Sequence, residues 1–397
     1  MKKRVAILTG GGDVPGLNMC LKSLIYRLID YGYDVVGVRK GWEGLINYNS
    51  HDTSAFSQHF IELTKNRVRA IDQTSGSFLH SSHLDPRQTP AKLIPGFLAE
   101  DGNKGQDLSD HIVSAAHHLG FDGLVILGDE ETLRYAAHLF EKGLPIIAIP
   151  KTIHNNIPGT DYTLGFSTGL ARGVDFIHQL RALAGSREQI VVVETFGDHS
   201  GYSALLMAYL AGVDRVLIPE VPYDPKVLAY LVSQDKHMTP SNYAIVTVTN
   251  GSRVAPDKLA VAQEYLSSYN YDEILHGAET DLDASAWLHS SGLIAAELLQ
   301  NLTGEEVFFQ QLTYLMRTGV PDGQDLFGAT NFGLTAARLF HDGNFGRMTA
   351  FQREHTWTHI GLNEAIQREK TVDVDTWYDA RNYKPTDGLI WSASSPN

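Results

Sequence analysis

The stretch richest in reactive side chains is Pro150-Lys-Thr-Ile-His-Asn-Asn156, fed by the apolar run Pro145 to Ile149 and continuing to Pro158-Gly-Thr-Asp161. Lys151, Thr152, His154, Asn155 and Asn156 follow one another closely after what reads as the end of a buried strand. Loops at the carboxyl ends of strands in an open parallel sheet are where such folds bind ligands. A lysine there supplies a point charge for an anionic group. Histidine, with an ordinary pKa of about 6.5, can take a proton near neutral pH.

Two further stretches share that chemistry. Val5 to Leu8 is a short apolar run ending in Thr9-Gly-Gly-Gly-Asp-Val-Pro-Gly-Leu-Asn18, and Leu17, Leu21, Leu24, Ile25 and Leu28 follow at helical spacing. Strand, glycine loop and helix let backbone N–H groups approach phosphate oxygens. The string is neither G-x-G-x-x-G nor a Walker motif, so a plain tight turn is an equal reading. Gly123 to Leu127 is another apolar strand, with Glu130 and Glu131 just past its end. Such carboxylates can hold Mg²⁺ through oxygen. The plainer reading is a helix first turn, where the dipole favours negative side chains.

The elements that must position these loops alternate. Strands are expected at Asp34–Arg39, Gln189–Val193, Arg215–Ile218 and Ala244–Val248. Helices are expected at Asp110–His118, Phe166–Leu183, Tyr202–Ala211, Leu259–Tyr271, Ala284–Leu299 and Asn331–Phe340. This is the pattern of a mostly parallel α/β sheet. Gly41 to Leu45 reads as loop, Ser82 to Leu108 as irregular surface, and Val307 to Met316 as β-like. The tail after Asn363 is polar and expected to fray, ending at Ser394-Ser-Pro-Asn397.

Composition excludes several classes. The chain has 397 residues and a net charge of −14, from 32 Lys plus Arg against 46 Asp plus Glu. That argues against nucleic acid or an anionic membrane as the main partner. A small anionic ligand stays open, because loops and helix N-termini bind phosphate inside acidic proteins. The single cysteine, Cys20, cannot form an internal disulfide. The basic head Met1-Lys-Lys-Arg precedes an apolar run that stops at Thr9, a first strand rather than a signal peptide. No run approaches the roughly 18 apolar residues of a membrane span, and a cytoplasmic location is expected.

Taken together the loops resemble the phosphofructokinase family. Gly11-Gly12-Asp13-Val14-Pro15-Gly16-Leu17-Asn18 is similar to its N-terminal phosphate loop. Gly128-Asp-Glu-Glu-Thr-Leu133 is similar to Gly-Gly-Asp/Glu-Asp-Thr-Leu of its pyrophosphate-using branch. Pro150-Lys-Thr-Ile-His-Asn-Asn156 resembles Pro-Lys-Thr-Ile-Asp-Asn-Asp, and Pro158 to Phe166 continues the match. Glu194-Thr-Phe-Gly-Asp-His-Ser-Gly201 resembles Glu-Thr-Met-Gly-Arg-His-x-Gly; Ile218-Pro-Glu220, Leu312 to Gly319 and Phe345-Gly-Arg-Met348 complete the series in order. The resemblance implies two Rossmann-like α/β domains with mostly parallel sheets and a site in the cleft between them. The division expected is 1–145 for donor phosphate, 146–350 mainly for sugar phosphate, with the chain crossing more than once, and 351–397 as a tail.

It implies Mg²⁺ near Glu130, donor phosphates at Gly11, Gly12, Glu131 and Lys151, and sugar phosphate at Glu220, Tyr314 and Arg317. Lys151 and the acidic Glu131 point to pyrophosphate rather than a nucleotide as donor. The expected catalytic group is Lys151, Thr152 and His154, the last at the position of the family's base, an aspartate. Asn156 stands for a second aspartate. Other departures are Asp198 for an arginine, Phe308 for an arginine, His83 for an arginine, Asp129 and His80 for glycines, Ser167 for an aspartate and Asn250 for a glutamate. Losing a general base commonly costs about 10²- to 10⁴-fold. The reading is therefore an impaired family member acting as a regulatory or structural subunit, in a homo-oligomer or beside an active paralogue. Two alternatives are an active Mg²⁺-dependent phosphotransferase using His154, on fructose 6-phosphate or a related acceptor, and a module sensing a phosphosugar, pyrophosphate or nucleotide.

Overall fold

A computed structural model describes residues 3–52, 56–99, 104–266, 290–352 and 356–387. It divides into two compact units, 1–169 with 317–368, and 170–316 with 369–397.

The sheet of the first unit has seven strands in the order β11-β10-β5-β4-β1-β2-β3. These are β1 (Arg4–Thr9), β2 (Asp34–Val38), β3 (Phe60–Leu63), β4 (Gly123–Gly128), β5 (Ile146–Pro150), β10 (Arg347–Gln352) and β11 (Thr356–Gly361). β4 and β5 are buried along their whole length, as continuous apolar runs inside a parallel sheet should be. β3 pairs antiparallel with β2, and β11 with β10, and these two strands form the edges. β1 pairs parallel with β4, and β4 with β5. This register brings the loops that begin at Gly10, Asp129 and Lys151 side by side at one end of the sheet. The helices Leu17–Asp30 and Gly323–His341 pack together, and Gly333 lies so close to the first that a Cβ would sit 2.7 Å from the Cys20 carbonyl oxygen. The expected break at 145/146 is not where the units part. β5 is hydrogen-bonded to β4 from Leu124 to Gly128, so the first unit must include it.

The sheet of the second unit is wholly parallel, in the order β7-β8-β6-β9. Its strands are β6 (Ile190–Thr195), β7 (Arg215–Leu217), β8 (Ala244–Thr249) and β9 (Val307–Gln311). The helix Pro225–Met238, absent from the sequence reading, is capped by Asp224, which accepts from the N–H groups of Lys226 and Val227. The β-like run expected to Met316 ends at Gln311 and becomes a tight 3₁₀ turn. The loop expected at Gly41 to Leu45 contains a short helix, Trp42–Ile46, because Trp42, Leu45 and Ile46 turn into the core together.

The tail does not fray as far as it is described. Tyr378 and Tyr383 are buried, the first opening β12 (Tyr378–Asp379) and the second just before β13 (Lys384–Pro385), the two strands of a small hairpin. The Tyr378 hydroxyl donates to the Val216 carbonyl at 2.7 Å, and the Val216 N–H to the Tyr383 carbonyl at 2.8 Å. The Tyr378 hydroxyl and the Tyr383 backbone carbonyl therefore join the tail to β7, and the expected separate segment 351–397 is shared between the units. The expectations for 394–397, 267–271 and 284–289 lie outside the described residues.

Candidate functional site

In the first unit, side chains from the three adjacent strand ends converge on the glycine loop. Lys151 is fully buried, and its Nζ donates to the Gly12 carbonyl. The Arg317 guanidinium covers Gly12, where a Cβ would meet its Nη1 at 2.6 Å, and reaches the Asp13 carbonyl at 3.5 Å. Its Nη2 donates to Nε2 of His154 at 3.3 Å. Arginine has no acceptor, so the Nε2 lone pair receives this bond and the imidazole proton sits on Nδ1. Burial, then the Arg317 charge, push the His154 pKa down to about 3 despite the opposing pull of Asp129. Burial also draws Lys151 down to about 8, opposed by Asp129 and helped by Arg317.

Asp129 follows β4 directly. Its Oδ1 accepts from the Thr132 N–H at 3.2 Å and the Thr132 hydroxyl at 2.7 Å, capping the helix Glu130–Glu141. Burial alone would raise its carboxyl; Lys151, Thr132 and His83 more than offset this and hold it below the usual range. His83 feels the same group of charges, and burial and the Lys151 and Arg317 cations outweigh Asp129 in lowering its pKa. Gly10 and Gly11 donate their N–H groups to the Leu127 and Ser82 carbonyls, each at 2.9 Å. The loop therefore spends part of its donor set on its own framework.

The loop after β5 is shaped by two residues. Asn155 takes a left-handed φ of 51°, which asparagine tolerates, and its buried side chain donates to the Asp161 carbonyl at 3.0 Å. The His154 N–H donates to Thr152 Oγ1 at 3.1 Å, and Thr163 Oγ1 to the Thr152 carbonyl at 2.7 Å. Thr152 is thus held inside the loop. Asp325, wholly buried, reaches across from its helix to accept from Gly165 N and Thr168 N, both at 2.8 Å, and from the Tyr162 hydroxyl. It fastens the segment that follows the loop. Nothing local in the sequence points to it, since its partners lie about 160 positions away.

Glu130 and Glu131 lie in the first turn of their helix, and Glu130 pairs with Arg134 one turn on. His80 keeps a left-handed φ of 60°, the conformation a glycine would take without cost. Ser167 donates to Asp322 Oδ2 at 2.6 Å, a place where an aspartate would repel.

The second unit presents a different set at the carboxyl ends of its strands. Glu194 is buried and accepts from Gly292 N at 2.9 Å and from the Gln311 amide, while burial raises its pKa. Glu220 accepts from Gly201 N at 3.0 Å and Val372 N at 2.8 Å, so its carboxylate holds the start of the helix Tyr202–Ala211 and the tail. Asp198 accepts from the Asn250 amide at 2.5 Å. Tyr314 is 55% exposed, with its ring edge-on to Phe196 at 5.6 Å. Phe308 lies within β9, opposite Val191, and not at the strand's carboxyl end. Of the three residues expected to hold sugar phosphate, Glu220 and Tyr314 belong to this unit, whereas Arg317 belongs to the first and joins the glycine loop.

Similarity to known proteins agrees with this geometry. The phosphofructokinase family model matches residues 4–340. A pyrophosphate–fructose 6-phosphate 1-phosphotransferase of Streptomyces coelicolor is 32% identical over 374 residues, covering 93% of this chain and 96% of that protein. ATP-dependent 6-phosphofructokinase 2 of the same organism is 30% identical over 380 residues, covering 96% and 99%. Relatives of both donor types thus stand at near-equal identity. Among solved structures, a pyrophosphate-dependent phosphofructokinase from Marinobacter aquaeolei matches with a TM-score of 0.72 at 16% identity, over 98% of this chain and 89% of that one. At that identity the likeness concerns the fold. Among the described residues no helix is long and apolar enough to cross a membrane. On the family match and the full-length relatives, the chain belongs to the phosphofructokinase family.

Proposed function

We propose that this chain is a phosphofructokinase-family protein of the pyrophosphate type that has lost phosphoryl transfer and serves as a regulatory or structural subunit. The observation that carries the reading is the bond from Arg317 to His154 Nε2. Phosphoryl transfer is mostly positioning and charge neutralisation, with one group orienting the attacking hydroxyl. At the position of that group stands an imidazole whose lone pair already receives a cation's proton and whose pKa is near 3. It is neutral at physiological pH, a weak base, and engaged. The amide of Asn156 adds no charge beside it. In the second unit, Glu220 is committed to two backbone N–H groups and Asp198 to Asn250, which supports weak affinity for a phosphosugar.

The donor preference rests on Lys151 and Glu131, which the family's pyrophosphate branch shares. The residues present fit Mg²⁺ poorly. Glu130 is drawn to Arg134, and no group of three or more histidine, cysteine, aspartate or glutamate residues among those described could hold a metal ion. As a subunit the chain would act in a homo-oligomer or beside an active relative; a pulldown from native cells should recover a second family member, and recovery of this chain alone would count against the mixed assembly.

The experiment is a rescue series in Mg²⁺, fructose 6-phosphate and either pyrophosphate or ATP. The unaltered chain should form no product above blank. His154→Asp with Asn156→Asp should restore little, and Asp198→Arg added to the pair should restore more. Robust turnover by the unaltered chain would sink the proposal. Full rescue by the pair alone would show that the sugar-phosphate end is intact.

A further inference from the structure

We infer that Asp129 is the residue that closes the glycine loop to anionic donors, by seating its own carboxylate where a donor's oxyanion would approach Gly11. The inference rests on reading Gly11 and Gly12 as the donor-phosphate loop. A Cβ placed on Gly11 would fall 1.7 Å from Asp129 Oδ2 and 2.1 Å from its Cγ, so the carboxylate lies against the bare face of that glycine. It cannot swing away freely, because the Thr132 N–H and hydroxyl both hold Oδ1. A glycine in such a loop is useful because backbone and ligand can approach closely; here a side chain of the same chain takes up the approach.

The surrounding charges fit an internal ligand. Lys151 is fully buried and has spent one N–H on the Gly12 carbonyl. Arg317 lies over Gly12 and bonds to Asp13 and His154. The Gly10 and Gly11 N–H groups are taken by Leu127 and Ser82. A polyphosphate entering this loop would meet a fixed carboxylate beside the lysine it needs, and like charges in close contact disfavour association. The competing account is that Asp129 is a helix cap and nothing more.

Two substitutions separate these accounts. Asp129→Asn keeps the cap acceptor and the volume but removes the charge. Asp129→Ser keeps a cap and empties the space over Gly11. Inorganic pyrophosphate is titrated calorimetrically into the full-length chain at low ionic strength, with thermal melts to verify folding. The unaltered chain should show no saturable binding into the millimolar range. Asp129→Ser should bind about tenfold tighter than that limit or better, Asp129→Asn should lie between, and Lys151→Met added to Asp129→Ser should abolish the gain. If Asp129→Ser does not fold, Asp129→Asn carries the test. Binding by the unaltered chain as tight as by the variants overturns the inference, as does a gain that survives Lys151→Met. This is independent of turnover: pyrophosphate binding decides the role of Asp129, whereas product formation by the unaltered chain decides the proposed loss of catalysis.

Discussion

The two sheets end in opposite chemistry. At the carboxyl ends of β1, β4 and β5, the first unit gathers the cations Lys151 and Arg317 around a glycine loop, with His83 held neutral beside them by burial and their charge. At the ends of β6, β7 and β8, the second unit gathers Glu194, Glu220, Asp198 and Asn250, with the rings of Phe196 and Tyr314. Yet the two regions share one habit. In each, the groups that could contact a ligand are committed to the chain itself: Lys151 to Gly12, Arg317 to His154, Glu220 to Gly201 and Val372. The difference lies in the charge of the groups, not in how firmly the chain holds them. The shared commitment gives these bonds a structural task whether or not a ligand is present, since they hold the loops in place.

That contrast can be broken at several strengths. Asp325→Ala in the first unit should have the largest effect. It leaves the buried Gly165 and Thr168 N–H groups and the Tyr162 hydroxyl without their acceptor, at roughly 3 kcal/mol or more of unfolding free energy in urea titrations. Glu220→Ala in the second unit should cost less, about 2 kcal/mol, because Glu220 is half-buried and the freed N–H groups of Gly201 and Val372 can regain water in part. A cost for Glu220→Ala near zero would mean that its carboxylate is available to a ligand after all.

The next effect is a pH dependence confined to the first unit. His154 binds its proton at about pH 3 in the folded chain and near pH 6.5 when unfolded. Between these values the unfolded state holds more protons, so stability falls as pH drops through 6.5 towards 3. From pH 7 to pH 5 this amounts to about 1–2 kcal/mol, and His154→Asn should remove that part of the slope. An unchanged slope would place the imidazole in water, away from Arg317. The smallest effect is expected at Asp198→Ala. The Asp198–Asn250 contact is exposed, and its loss should change stability by no more than about 0.5 kcal/mol.

Much of the fold was legible because β1, β4, β5, β6 and β8 are continuous apolar runs, the mark of interior parallel strands. The edges were not. Phe60–Leu63 is four residues long, and β11 has no fully buried position, so neither shows a strong period. The helix Pro225–Met238 had a readable start, Asp224 followed by proline at the first helical position, which the sequence reading passed over. The polar tail misled because two tyrosines, rather than an apolar run, anchor it.

The positions of the site residues follow from strand ends that can be read in the sequence, whereas their partners do not. Lys151, His154 and Arg317 come together; the sequence places Arg317 only with the sugar phosphate, because its bond to His154 spans 163 residues of sequence. In the sequence Asp129 stands out only as a replaced glycine. Its Asp-x-x-Thr spacing before a helix signalled a cap, whereas its seat on Gly11 depends on the pairing of β1 with β4. Long-range contacts of this kind leave no local pattern to read.

The measurement that bears most directly on the account is product formation by the unaltered, full-length chain alone, followed by ³¹P NMR with Mg²⁺, fructose 6-phosphate and pyrophosphate, and again with ATP. With His154 held by Arg317, no new phosphate ester should appear over an incubation in which an active relative converts its substrate completely. Steady accumulation of a sugar bisphosphate, abolished by His154→Asn, would contradict it and identify His154 as a working base.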